Sequence, residues 1–122
     1  MLRPARAVLA ALALAALAAP VTHAQVYPAK AIRLIVPYPA GGGTDFFART
    51  VAVQLSQQMG RQVVVENRPG AATIIGAEAA AKSAPDGYTM LLGDTATFAV
   101  NPGLYRKLPY DAQKDFAPVS LT

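Results

Sequence analysis

The sequence predicts an α/β domain in which a parallel sheet is covered by helices on both faces. Three observations carry that prediction. Short aliphatic or β-branched runs alternate with segments of helical periodicity, and the connections between them are short. The first run also leaves through a Pro- and Gly-rich loop straight into a helix pattern, Ile32 to Asp45, IRLIVPYPAGGGTD.

An export segment precedes the domain. Arg3 and Arg6 form a positive start, Val8 to Ala19 is an unbroken Ala/Leu stretch, and Pro20 ends it. Thr22-His23-Ala24 supplies small residues at the positions a signal peptidase reads, which places cleavage between Ala24 and Gln25. The apolar run falls well short of the ~20 residues a permanent membrane helix needs. Residues 1–24 are therefore expected to be a signal peptide and residues 25–122 a periplasmic, soluble chain, since no lipid-anchoring Cys follows.

Removing the signal leaves 98 of the 122 residues, enough for one small domain. The basic residues fall from 11 to 9 against 7 acidic ones, so the net charge drops from +4 to about +2. That small excess is no nucleic-acid footprint. There is no Cys, and the single His lies in the signal. Neither a Ser-His-Asp nor a Cys-His system can be assembled from the mature residues, nor a zinc site with N or S ligands. No catalytic residue, metal or cofactor is assigned.

Within the domain, Ile32 to Val36 reads as a buried strand stopped by Pro37 and Pro39. Thr44 or Asp45 starts a helix to about Met59, with an apolar stripe of Phe47, Val51, Leu55 and Met59 beside Ala48 and Ala52, and Gly60 ends it. Gln62 to Glu66 is a second strand. Asn67-Arg68-Pro69-Gly70 is a turn cluster, and Ala71 to Thr73 lead into a second helix through about Lys82, with Glu78 and Lys82 paired on its wet face. After the turn Pro85-Asp86-Gly87 comes a third strand, Tyr88 to Leu92, and then an exit loop, Gly93 to Thr97. A helical turn is expected before Asn101-Pro102-Gly103, another over Asp111 to Asp115, and a fourth strand from Phe116 to Leu121. The chain stops inside that strand, as a fragment of a longer protein would.

Three strand exits, Pro37–Thr44, Asn67–Thr73 and Gly93–Thr97, fall on one edge of a parallel sheet. Open α/β sheets bind ligands at that edge. Gly41, Gly42 and Gly43 allow close approach to unpaired N–H groups at a helix start, a natural anion site. Gly70 and the Thr73 hydroxyl, then Thr95 and Thr97, add main-chain donors and hydroxyls but no buried cation, which suits a small carboxylate. Other readings stand beside these. Asp45 fits a first-turn carboxylate facing the helix dipole as well as a ligand contact. Tyr38 can wall a pocket or pack, Arg68 can meet a ligand carboxylate or be a solvated loop charge beside Glu66, and Thr95 and Thr97 can be turn residues.

The run Pro37-Tyr38-Pro39-Ala40-Gly41-Gly42-Gly43-Thr44-Asp45 closely resembles a known family when joined with Glu66-Asn67-Arg68-Pro69-Gly70-Ala71 and Asn101-Pro102-Gly103-Leu104-Tyr105. Further matching stretches are Ala84 to Thr89, Leu108 to Asp111 and Lys114 to Val119, so the resemblance covers Tyr27 to Thr122. The family is the Bug family, the periplasmic substrate-binding proteins of tripartite tricarboxylate transporters. The resemblance implies part of the N-terminal lobe of a two-lobed, type II periplasmic binding protein. It implies a receptor, not an enzyme, for a small organic acid (a di- or tricarboxylate, an amino acid or an aromatic carboxylate), serving the membrane subunits of a transporter or a sensor. Carried over residue by residue, ligand contacts fall on Tyr38, Gly42, Gly43 and Asp45, on Ala72 and Thr73, and on Thr95 and Thr97. Ala72-Thr73 stands where the family often has Gly-Gly, and Phe98 where a polar residue often precedes Ala99. One lobe alone is expected to bind poorly, because closure buries the ligand between two surfaces.

Two other functions compete. A dinucleotide-binding enzyme would use Glu66 on the ribose, but the loop lacks the third Gly of GxGxxG, and nicotinamide cofactors are not expected outside the cytoplasm. A P-loop is excluded because no Gly-Lys-Ser/Thr follows. The remaining alternative is an exported α/β fragment without a ligand.

Overall fold

The computed structural model describes residues 26–121. The expected signal segment and its cleavage point lie outside the described residues. β1 (Ile32–Val36) is the centre of a three-stranded parallel sheet, flanked by β2 (Val63–Asn67) and β3 (Thr89–Leu91). Ile32 stands opposite Val63 and Val36 opposite Asn67, while Arg33 to Ile35 pair with Thr89 to Leu91 on the other side. The first crossover runs from β1 to β2, and the second returns past β1 to β3. Keeping both right-handed places α1 (Gly43–Met59) and α2 (Ile74–Ala81) on opposite faces.

Side chains alternate across β1 with period two. Ile32, Leu34 and Val36 join Ala48, Ala52 and Val63 in one buried cluster under α1. Ile35 is fully buried on the other side of the strand, and α2 packs against β3 and β1. On α1 the buried line is Asp45, Ala48 and Ala52, not the stripe predicted through Phe47. Phe47 stays 42% exposed while Leu55 and Met59 pack against the cluster. Alanine lets the helix lie close to the sheet, and that rotates the larger side chains to its flanks.

The boundaries follow local chemistry. Gly60 ends α1 in the left-handed region at φ 65. Ser56 Oγ then donates to the Ala52 carbonyl (2.6 Å) and accepts from Val63 N (2.8 Å), which ties the helix end to the start of β2. Asn67, expected in a turn, is the last residue of β2, and α2 stops at Ala81 with Lys82 as its cap. Glu78 and Lys82 form the expected ion pair.

The region after β3 departs most from expectation. The predicted exit loop turns helical: a π-helical turn, Ala96–Val100, runs directly into α3 (Asn101–Leu104). Asp94 starts it, its carboxylate accepting from Thr97 N (3.0 Å) and its carbonyl from Phe98 N (3.0 Å). Asn101-Pro102-Gly103 therefore lies within a helix; Pro102 brings it no N–H donor, and the Thr97 carbonyl accepts from the Tyr110 hydroxyl (2.7 Å). The turn at Asp111–Asp115 forms, closed by Asp115 N on the Asp111 carbonyl (3.0 Å). No strand forms over residues 116–121. Phe116 packs edge-on against Phe98 and Tyr110 instead, and Pro118 offers no ladder donor.

Candidate functional site

All three strands end on one edge, and the loops that leave them are cross-linked to one another. Gly41 adopts φ 84, and Gly42 caps α1 in an extended conformation with no side-chain capping bond. The first N–H groups of α1 thus face an opening lined by glycines.

Asp45 holds that loop from within the first turn of α1. Its Oδ2 accepts from Gly41 N (2.9 Å) and Arg49 Nε (3.0 Å), and its Oδ1 from Asn67 Nδ2 (2.9 Å). Asn67 also donates to the Tyr38 carbonyl (3.1 Å) and accepts from Arg49 (3.1 Å). The bond from Arg49, then those from Gly41 and Asn67, hold the Asp45 carboxyl down at about 2. Both of its oxygens are engaged inside the loop. Of the two sequence readings, the geometry is that of a first-turn carboxylate organising its own loop.

Tyr38 reaches across to the third exit, where its hydroxyl donates to Asp94. That bond, with burial and the adjacent negative charge, pushes the phenol up to about 12. Burial pushes Asp94 upward, but the donors Tyr38 and Thr97 outweigh it and leave the carboxyl below its ordinary value. Arg68 is bonded to Glu66, in line with its reading as a loop charge beside that residue, and Arg33 approaches the other Glu66 oxygen at 2.8 Å.

The second exit is unusual. Gly70 (φ 124) is followed by Ala71, Ala72 and Thr73 at φ 46, 51 and 75, three consecutive non-glycine residues in the left-handed region. Thr73 is the cap of α2 but makes no side-chain capping bond. Its hydroxyl instead points inward and accepts from Thr97 Oγ1 (3.0 Å) and Asn101 Nδ2 (3.2 Å). Thr73 and Thr97 are both buried. The expectation that they present free hydroxyls at the edge is corrected: those hydroxyls join the second exit to the third. Thr95, Ala72, Gly42 and Gly43 are exposed at the edge.

Close packing fixes the first exit against the second. A Cβ on Gly76 would stand 2.7 Å from Pro37 Cβ and 2.9 Å from the Arg68 carbonyl. Arg68 N also donates to the Val36 carbonyl (2.8 Å). Sequence reasoning assigned Asn67 to a turn and found no role for Asp94, Asn101 or Tyr110. The available signal was the spacing of Asp45 and Arg49, four apart on a helix. A depression of about 620 Å³ lies beside α3, reaching the third exit only at Phe98, and one of about 330 Å³ lies near Lys30 and Tyr88. Among the described residues no group of three His, Cys, Asp or Glu side chains is placed to hold a metal ion. No helix among them is long and apolar enough to cross a membrane.

Residues 47–122 match the family model described as Tripartite tricarboxylate transporter family receptor. Protein BugT of Bordetella pertussis is 49% identical over 111 residues, 90% of this chain and 34% of that protein. MatC from Rhodopseudomonas palustris, solved with bound malate, superposes with a TM-score of 0.72 at 34% identity, covering 76% of this chain and 32% of its own. A second R. palustris protein, solved with adipate, gives 0.67 at 38% identity, covering 70% of this chain and 29% of its own. The chain spans about a third of the length of the curated relatives it matches.

Proposed function

Because this chain belongs to the tripartite tricarboxylate transporter receptor family, we propose that its strand-exit edge is one side of a periplasmic binding site for a small organic carboxylate. The observation that carries this reading is the start of α1, where Gly42 leaves the helix without a side-chain cap and Gly41 to Gly43 keep side chains out of the way. One carboxylate of the ligand sits there, held by the N–H groups of Gly42 and Gly43, directly or through water. The main chain of Ala72 and Thr73 meets it from the second exit, and Tyr38 and Thr95 border it at the third. Asp45, with Thr97 and the Thr73 hydroxyl, holds these loops in place from behind. Two of the solved neighbours carry adipate and malate, which favours a dicarboxylate. Residues outside this chain close the site, and the loaded receptor delivers its acid to the membrane subunits of a tripartite transporter or to a sensor.

The test is an amide chemical-shift titration of the purified chain with malate, adipate and, as control, NAD. Because one lobe alone binds weakly, the acids are taken to high millimolar concentration, where they should move the amides of Gly42, Gly43, Ala72 and Thr73 toward saturation. The reading fails if neither acid moves them, or if NAD alone does.

A further inference from the structure

We propose that Asn101 is a positioning residue for this carboxylate site, holding the left-handed turn Ala71–Thr73 in the shape that presents its main chain at the strand exits. The inference rests on the carboxylate reading above. Left-handed backbone is disfavoured for residues that carry a Cβ, least so for Asn and Asp, and a β-branched residue there is a marked outlier among such non-glycine residues. Here three such residues follow one another, ending in Thr73. Ala71 and Ala72 are exposed and bury no side chain that could hold them. The restraint comes through the main chain and Thr73: Ile74 N donates to the Ala71 carbonyl (3.1 Å) from within the turn, and Asn101 adds a clamp from 29 and 28 residues away.

Asn101 Nδ2 donates to the Ala72 carbonyl at 2.7 Å and to Thr73 Oγ1 at 3.2 Å. Asn101 is only 1% exposed, so these bonds form away from competing water. Its amide lies 3.4 Å from the Tyr110 hydroxyl, which donates in turn to the Thr97 carbonyl at 2.7 Å. Thr97 completes the ring through its own hydroxyl on Thr73. The π-helical turn brings Asn101 into this ring, with Asn101 N bonded to the Ala96 carbonyl. Asn101 touches no ligand position itself. Its effect on binding runs through the turn.

The strain supplies a discriminating test. Glycine adopts the left-handed region freely, so Ala71→Gly/Ala72→Gly should make the turn less dependent on its clamp. Asn101→Ala in the unaltered chain should weaken malate or adipate binding about tenfold, the equivalent of 1.4 kcal/mol. In the double-glycine background the loss should shrink to about threefold or less. Backbone three-bond couplings of Ala72 and Thr73, which report φ without any ligand, should depart from left-handed values in Asn101→Ala. If Asn101→Ala does not fold, Asn101→Ser serves, since it keeps a small polar group in the buried position but is too short to carry a donor to the Ala72 carbonyl. Equal losses in both backgrounds, or unchanged couplings, would show a purely structural Asn101 and overturn the inference while leaving the carboxylate site standing. An unaltered chain that binds neither acid would overturn the site reading, and the positioning role with it.

Discussion

Asp45 and Asp94 sit at neighbouring strand exits, yet they work differently because their partners differ. Asp45 is matched by Arg49 and two neutral donors, whereas Asp94 is held by a phenol and by Thr97. The Asp45 carboxyl lies near 2 in the folded chain, below its ordinary 3.8, so its contribution to stability is present above about pH 4 and is lost as pH falls toward 2. Asp45→Asn should therefore be less stable than the unaltered chain at neutral pH, with the gap closing at pH 2 in a thermal melt. Asp94 places a negative charge beside the proposed anion site while Arg49 and Arg68 are each engaged by a carboxylate. Asp94→Asn should tighten malate binding severalfold by calorimetry, and the Tyr38 phenol should fall from about 12 toward its ordinary 10 by phenolate absorbance. At this scale sequence showed residue types but not directions. Thr73 and Thr97 carry hydroxyls suited to a ligand, and only the fold turns them inward onto each other.

At the scale of elements, strands and helices with a strong period were legible, and their ends were nearly so. β1 occupies the expected residues, and Gly60 stops α1 where a left-handed cap was expected. The segment after β3 was legible only in part: its helical turns were expected, but the helical exit loop and the missing fourth strand were not, because Asp94, Phe98 and Phe116 are organised by contacts with one another and with Tyr38 and Tyr110. Two glycines separate tight packing from adjustable packing. Gly76 faces Pro37 and the Arg68 carbonyl, neither of which can swing aside. Gly76→Ala should cost about 1–3 kcal/mol in urea denaturation and shift α2 away from the glycine loop. Gly93 faces the far end of the Phe98 ring, itself 41% exposed and able to swing outward by giving up its edge contact with Phe116. Gly93→Ala should cost clearly less in the same measurement.

Across the whole molecule, the alternation of strands and helices predicted a parallel sheet with helices on both faces, and the β2-β1-β3 order delivers it. That order also brings three loops to one edge, so the place of the candidate site was legible before its geometry. The core beneath it is small, and the buried cluster centres on β1. Leu34→Ala should cost about 2–5 kcal/mol and bring much of the chain close to unfolding, as followed by circular dichroism. A carboxylate at 100 times its dissociation constant adds about 2.7 kcal/mol, enough to offset a milder core lesion and make binding visible as a raised melting temperature.

The pole opposite the strand exits is also fastened. Tyr27 packs at a tilt against Tyr88, ring centroids 5.1 Å apart, and donates to the Gly87 carbonyl (2.6 Å), while Ala29 N donates to the Tyr88 hydroxyl (2.8 Å). This clasp lies where β1 and β3 begin, with the length of the sheet between it and the glycine loop. Val26 beside it is 85% exposed. A biotin or fluorophore carried on a cysteine introduced by Val26→Cys would hold the molecule on a sensor surface with the exits turned to the flowing solution. An unaltered carboxylate response after such immobilisation would make this edge usable as a reagentless detector.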